Sequence, residues 1–334
     1  MFEAVVMLCA GLAGPDCRAA LVPGYEAETR AECVAALAAR PVAGASCGAA
    51  GEALEMTEVA PGVFVHRGAV AEPDAQNRGD VANLGFVIGE TAVAVIDSGS
   101  AAWIGEALWR AIRARTDLPV AYLVLTHVHP DHVLGARVFA GAETVAHAGL
   151  QNALAERQQT YLDRFAELIG APAFLGTELP EVEREVADRA ELDLGGRVLE
   201  LRAWPLAHSG TDLTVLDVET GTLFAGDLVT DGHLPPLDGS LRGWQRVLGD
   251  LTAIAARRVV PGHGGPVLDW PGGAAPVERY LGVLARDTAA AVASGARLAE
   301  AVPHIAEEEA GRWQLFELFN PRNATVAFTE LEWE

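Results

Sequence analysis

Short apolar runs, many of them β-branched, punctuate this chain at Ala92 to Ile96, Val120 to Leu125, Val198 to Leu206, Thr222 to Gly226 and Arg258 to Gly262, and each predicts a strand. Between them, apolar residues recur with helical spacing. Trp103, Ile104, Leu108 and Ile112 predict a helix over Ala101 to Thr116, and Leu150, Leu154, Tyr161, Leu162 and Phe165 predict another over Gly149 to Ile169. Leu241 to Ala255, carrying Trp244, and the alanine-rich stretch Val277 to Ala293 predict two more. Ala301 to Phe319 looks helical in parts, whereas Ala324 to Trp333 alternates and predicts a terminal strand. Glu178 to Arg189 is acidic and polar, as expected of a solvated connection or an edge. No repeat of 20–50 residues interrupts this plan. Strand and helix periods interleave in a chain of 334 residues that is 50% hydrophobic, which supports α/β or α+β packing around a sizeable core.

The predicted strands end on reactive side chains. Val120 to Leu125 leads into Thr126-His127-Val128-His129-Pro130-Asp131-His132, with three imidazoles and a carboxylate within six positions. Side chains at i and i+2 of a strand share a face, so His127 and His129 are expected to converge. Pro130 breaks the strand and lets Asp131 and His132 turn about the same point, before a short helical segment that Gly135 helps close against the sheet. Neutral imidazole and carboxylate suit zinc, iron or manganese.

Four other segments extend this pattern, none decisive by itself. His208 opens His-Ser-Gly-Thr-Asp on a loop leaving a strand; alone it would be a packing histidine. Asp227 ends an apolar strand, where an unpaired carboxylate is costly unless a cation or donor meets it, although a turn cap would also account for it. His263 follows a tight Pro261-Gly262 turn, with Gly264 and Gly265 giving the backbone room. Asp97 ends Ala92 to Ile96 and could simply cap the helix beginning near Ala101.

Taken in order, H-x-H-x-D-H, H-S-G-T-D, A-G-D and P-G-H-G resemble the metallo-β-lactamase superfamily over roughly residues 52 to 270. The resemblance implies an α+β fold, an αββα sandwich of two similar halves with the site where strand ends meet. It assigns His127, His129 and His208 to a first metal ion, Asp131, His132 and His263 to a second, and Asp227 to both, while Asp97 would orient ligands without touching metal. The aspartate at 227 makes the pattern closer to the glyoxalase II type than to the antibiotic-hydrolysing members. Two divalent ions ~3.5–4 Å apart, zinc first and iron or manganese as alternatives, would hold a bridging water with a pKa near ~7. The resulting hydroxide is the expected nucleophile, with Asp131 and Asp227 as the catalytic carboxylates that could take its proton. No G-x-S-x-G elbow supplies a serine nucleophile instead.

Charge and cysteine usage narrow the setting. All 24 basic side chains are arginine against 46 acidic ones, for a net charge of −22. Such a field repels phosphate backbones and anionic lipid surfaces, so a small-molecule substrate is expected rather than nucleic acid. The four cysteines, Cys9, Cys17, Cys33 and Cys47, all fall in the first 47 residues without a C-x-x-C pair. Two disulfides stapling a short N-terminal segment, residues 1–50, ahead of a metallohydrolase domain at 51–334, is the expected arrangement; four cysteines leave three pairings open. Disulfides predict a periplasmic or secreted protein. No signal peptide is visible, since Glu3 occupies the place of a basic n-region and the apolar stretch Ala4 to Gly14 is short. No run reaches the ~18 apolar residues of a membrane span.

The N-terminal Leu21 to Glu26, the loop Leu237 to Trp244, and the ending Arg322 to Glu334 further resemble the quinoprotein relay system zinc metallohydrolases. That resemblance implies a periplasmic quinoprotein or cytochrome partner and leaves the substrate open. His233 and Asp238, in the loop following Asp227, are expected to flank the metal mouth and contact substrate; for His233 an ordinary loop histidine is an equal account. The leading expectation is a hydrolase acting on an ester, thioester, lactone or amide. An iron-dependent thiol or sulfur dioxygenase or oxygen reductase would use the same scaffold, and a non-catalytic quinone-cofactor carrier is a third class.

Overall fold

The computed structural model describes residues 1–10 and 17–334. Its first element is a three-stranded antiparallel sheet in the order β2-β1-β3, built from β1 (Phe2–Cys9), β2 (Cys17–Ala27) and β3 (Ala45–Ala49), with helix α1 (Arg30–Ala39) across it. Thr29 begins α1 with a capping box, accepting from Glu32 N while the Glu32 carboxylate accepts from Thr29 N. So small a layer buries little, and its core is Ala4, Tyr25, Cys33 and Cys47. Two disulfides, Cys9–Cys17 and Cys33–Cys47, supplement it.

The remaining strands form two facing sheets. The first runs β10-β9-β8-β7-β6-β5-β4, from β4 (Thr57–Ala60), β5 (Val63–His66), β6 (Leu84–Ile88), β7 (Val93–Ile96), β8 (Val120–Leu125), β9 (Glu143–His147) and β10 (Arg184–Val186). The second runs β11 to β16 in sequence order, from β11 (Arg189–Asp193), β12 (Val198–Ala203), β13 (Leu213–Asp217), β14 (Thr222–Gly226), β15 (Arg258–Pro261) and β16 (Leu268–Asp269). Every predicted strand from Ala92 to Gly262 is present, and the acidic stretch 178–189 supplies β10, an edge strand.

Both faces of the central strands are buried, which explains their unbroken hydrophobic character. In β7, Val93 and Val95 face an outer helical layer while Ala94 and Ile96 face the other sheet. Leu199, Leu201, Val215 and Phe224 meet them from the second sheet. The outer layers are helices: α2 (Ala102–Arg113), the one-turn α3 (Pro130–Val133), α4 (Leu150–Ile169) and the one-turn α5 (Ala171–Phe174) on the first sheet. On the second lie α6 (Leu241–Thr252), α7 (Ala275–Ala293), the one-turn α8 (Leu298–Ala301) and α9 (Phe316–Leu331). The architecture is therefore an αββα sandwich of the α+β class, as expected.

One element differs from its sequence reading. Ala324 to Trp333 is helical within α9 rather than a strand. The buried positions Phe319, Asn320, Asn323, Ala324, Ala327, Phe328 and Leu331 follow the helical period, and two of the seven are asparagines, which conceal it from a hydrophobic pattern. The N-terminal sheet docks on α2 through paired charges: Arg18 Nη1 and Nη2 lie 2.8 and 2.9 Å from the Glu106 carboxylate, and Arg110 Nε and Nη2 each lie 2.8 Å from that of Glu3.

Candidate metal centre

The seven expected donor side chains meet at one end of the sandwich, where β7, β8, β14 and β15 finish. Possible donor atoms of His127, His129, His208 and Asp227 lie within 4.8 Å of one another, and so do those of Asp131, His132 and His263. Their convergence does not come from strand alternation. Strand β8 ends at Leu125, and His127 and His129 lie beyond it, on the turn that enters α3 with Pro130 in its first turn. Their rings nevertheless sit 4.7 Å apart. The expected closure at Gly135 is present: a β-carbon there would lie 1.9 Å from the carbonyl oxygen of Ser98, and its amide donates to Gly99 O.

Asp97 occupies a left-handed backbone conformation at φ 60 and does not cap α2, whose first residues follow Ala101 without a side-chain cap. Its carboxylate instead accepts from Thr126 N, Thr126 Oγ1 and His132 Nδ1, each at 2.8 Å. Because the Thr126 hydroxyl spends its proton on Asp97, its lone pairs are left to accept from His127 Nδ1 at 3.0 Å. His263 Nδ1 donates to Val81 O at 2.8 Å. Three imidazoles are thereby held with a proton on Nδ1 and a lone pair on Nε2. His129 meets the site through Nδ1, since its Nε2 faces Asp238 Oδ2 at 3.4 Å while Nδ1 is 3.3 Å from His208 Nε2.

Asp227 stands between the two groups. Its Oδ2 is 3.8 Å from His127 Nε2, 3.7 Å from His208 Nε2 and 3.3 Å from His263 Nε2, while Oδ1 is 3.4 Å from His132 Nε2. Asp131 Oδ2 lies 3.4 Å from His263 Nε2 and 3.7 Å from His132 Nε2. His127 Nε2, His132 Nε2 and Asp227 Oδ1 are buried with no hydrogen-bond partner among the described residues, an arrangement that is costly unless a cation fills the gap. Donors ~2.0–2.2 Å from one tetrahedral ion stand ~3.3–3.6 Å apart, close to these separations, and an all nitrogen and oxygen set suits zinc, iron or manganese. The residues fit a pair of divalent ions.

Electrostatics point the same way. Burial pushes His127 well down, with His132 adding to the effect, and pushes His208 down to about 3. Burial also opposes charge on His132 and His263, yet nearby carboxylates outweigh it: Asp131, Asp97 and Asp227 raise His132, and Asp227 and Asp131 raise His263. Asp227 is held well below the usual carboxylate range despite its burial, by His263, His132 and His127. Three carboxylates thus create a negative potential around the buried imidazoles.

Of the other two predicted contacts, His233 is buried, stacks on His263 and is pushed down to about 3 by burial. Asp238 is exposed and reaches Arg157 Nη2 at 3.7 Å as well as His129. Sequence reasoning missed Thr126, although a hydroxyl beside the first histidine was a usable signal. It also missed the Val81 carbonyl and Asn83, whose Nδ2 holds the turn at Pro261 O at 2.8 Å; a main-chain acceptor leaves no mark in a sequence. No helix among the described residues is long and apolar enough to cross a membrane.

The family model described as the Metallo-beta-lactamase superfamily matches residues 77–263, more than half of the chain. Among solved structures, a metallo-beta-lactamase from Pontibacter korlensis is similar with a TM-score of 0.55 at 22% identity, over 69% of this chain and 99% of that one. TMB-1 is similar with a TM-score of 0.54 at 21% identity, over 69% and 97%. The DIM-1 metallo-beta-lactamase gives 0.53 at 17%, again over 69% and 97%. At these identities the likeness is one of fold. No curated protein sequence matches the chain.

Proposed function

This chain belongs to the metallo-beta-lactamase superfamily, and on that footing we propose that it is a dinuclear metallohydrolase, with zinc in both positions, cleaving an ester, thioester, lactone or amide. The observation that carries the reading is Asp227, a buried carboxylate within 3.3–3.8 Å of imidazole nitrogens from both donor groups. His127, His129 and His208 would hold one ion, Asp131, His132 and His263 the other, and Asp227 both. When bound, two such ions would supply Lewis acidity and lower the pKa of a coordinated water toward ~7.

The chain's own residues supply the rest. Asp97, Thr126 and the Val81 carbonyl fix which imidazole nitrogen is free. Asp131, whose side chain still reaches solvent, would take the proton of the attacking water, with Asp227 beside it. Water oxygen bonds to the carbonyl carbon, the bond to oxygen, sulfur or nitrogen breaks, and the leaving group departs with a proton. The two disulfides support folding in an oxidising compartment, periplasmic or extracellular. The resemblance of the terminal segments to the quinoprotein relay hydrolases supports a periplasmic quinoprotein or cytochrome partner.

The test is to strip the protein with a chelator, restore zinc, iron or manganese separately, and assay an ester, thioester, lactone and amide panel. Zinc is expected to restore hydrolysis of at least one class. Hydrolysis that persists in the stripped protein contradicts a metal mechanism. Oxygen consumption with a thiol, restored only by iron, moves the chain to the oxidative class, and a fully loaded protein inert in every assay favours the carrier.

A further inference from the structure

A sixth imidazole belongs to the wall of this site. His233 is 4% exposed, and its ring lies 4.3 Å from that of His263, nearly parallel at 11°. It is absent from both donor groups, so it is placed beside the candidate ions and not as one of their ligands. Its Nδ1 is nevertheless buried with no hydrogen-bond partner among the described residues. An unmade hydrogen bond at a buried polar atom costs about 1–3 kcal/mol. Phenylalanine would stack on His263 and on Phe319, whose ring is 5.7 Å away, without that penalty.

The main chain around His233 is fixed from several directions. Gln314 N donates to Gly232 O at 2.7 Å and Leu234 N donates to Gln314 O at 3.1 Å, a short parallel bridge across His233. Asp231 N donates to His263 O at 3.0 Å, and Thr230 Oγ1 donates to His233 O at 2.8 Å. From α9, Asn323 Oδ1 accepts from Leu237 N at 2.7 Å and Asn323 Nδ2 donates to Pro235 O at 3.0 Å. Gln314, Phe319 and Asn323 all lie outside residues 77–263, so part of what holds this imidazole in place lies beyond the stretch matched by the family model.

We propose that His233 is a substrate-binding residue on the His263 side of the centre, and that its unpaired nitrogen hydrogen-bonds a polar atom of the substrate adjacent to the bond being cleaved. This rests on the hydrolase reading and narrows it. Substrates bearing a hydroxyl, amide or second carbonyl next to the scissile group are preferred over plain alkyl analogues, because only they satisfy the buried nitrogen.

The test uses zinc-loaded full-length protein with acetohydroxamate as the probe, which offers two oxygens to metal and an N–H beside them. His233→Phe and His233→Asn are compared with the unmodified protein for zinc stoichiometry, thermal midpoint and hydroxamate dissociation constant. Both variants are expected to keep the zinc content. His233→Phe should weaken the hydroxamate about tenfold or more, and His233→Asn should recover part of that loss. Equal hydroxamate affinity in all three proteins, or no binding by the unmodified one, overturns the proposal. Loss of a zinc equivalent makes His233 a metal ligand and overturns it too. None of these readouts needs turnover, so failure of the hydrolase assays is a separate result.

Discussion

Gly262 stands so close to Asp227 that a β-carbon placed on it would lie 1.9 Å from Oδ1. The tight turn after β15 thus does more than deliver His263 one residue later: its missing side chain is the space in which the Asp227 carboxylate sits. Gly262→Ala is expected to displace Asp227 and lower zinc affinity by about 10–100-fold, the range typical of disturbing the support of a metal ligand. Competition against a chromophoric chelator measures this, and unchanged affinity would show that the carboxylate does not need its present position.

The disulfides and the metal site are independent in this structure, since no cysteine belongs to either donor group. Protein from an oxidising compartment should show four hydrogens fewer by mass and resist alkylation before reduction. Reduction is expected to destabilise the N-terminal sheet by about 2–4 kcal/mol per bridge while leaving zinc content unchanged. Loss of zinc on mild reduction would link the two.

His66, at the end of β5, gives a pH dependence of known sign. Its Nδ1 is 2.9 Å from Glu55 O and its Nε2 is 2.8 Å from Asp80 Oδ1, so the protonated ring has an acceptor on both sides. Burial opposes the charge, but the bond and charge of Asp80 outweigh it and the pKa is raised. The folded state therefore binds the proton more tightly than the unfolded chain. The stabilisation is fully present below about pH 6.5 and is lost as pH rises through the raised value. His66→Gln should destabilise the protein more at about pH 5.5 than at about pH 9 in urea unfolding. An equal loss at both would remove the charge from the account.

Much of this architecture could be read from the chain because strand and chemistry coincide: the runs ending at Ile96, Leu125, Gly226 and Pro261 are strands, and the side chains that follow them converge. What could not be read depended on non-local partners. His127 and His129 converge through a turn and not through strand alternation. Asp97 could be read from the chain alone as a helix cap, and only its contacts with Thr126 and His132 show otherwise. Helix α9 was hidden because Asn320 and Asn323 face inward, toward Ile305, Tyr280 and Pro235, partners that no local pattern announces.

The claim on which the account turns is that Asp227 serves two ions, and metal stoichiometry tests it most directly. Protein dialysed to equilibrium with excess zinc and then freed of unbound metal is expected to hold two zinc ions per chain, and His263→Ala close to one, with the His127, His129 and His208 position still filled. One ion per chain in the unmodified protein, unaffected by His263→Ala, would contradict the dinuclear centre.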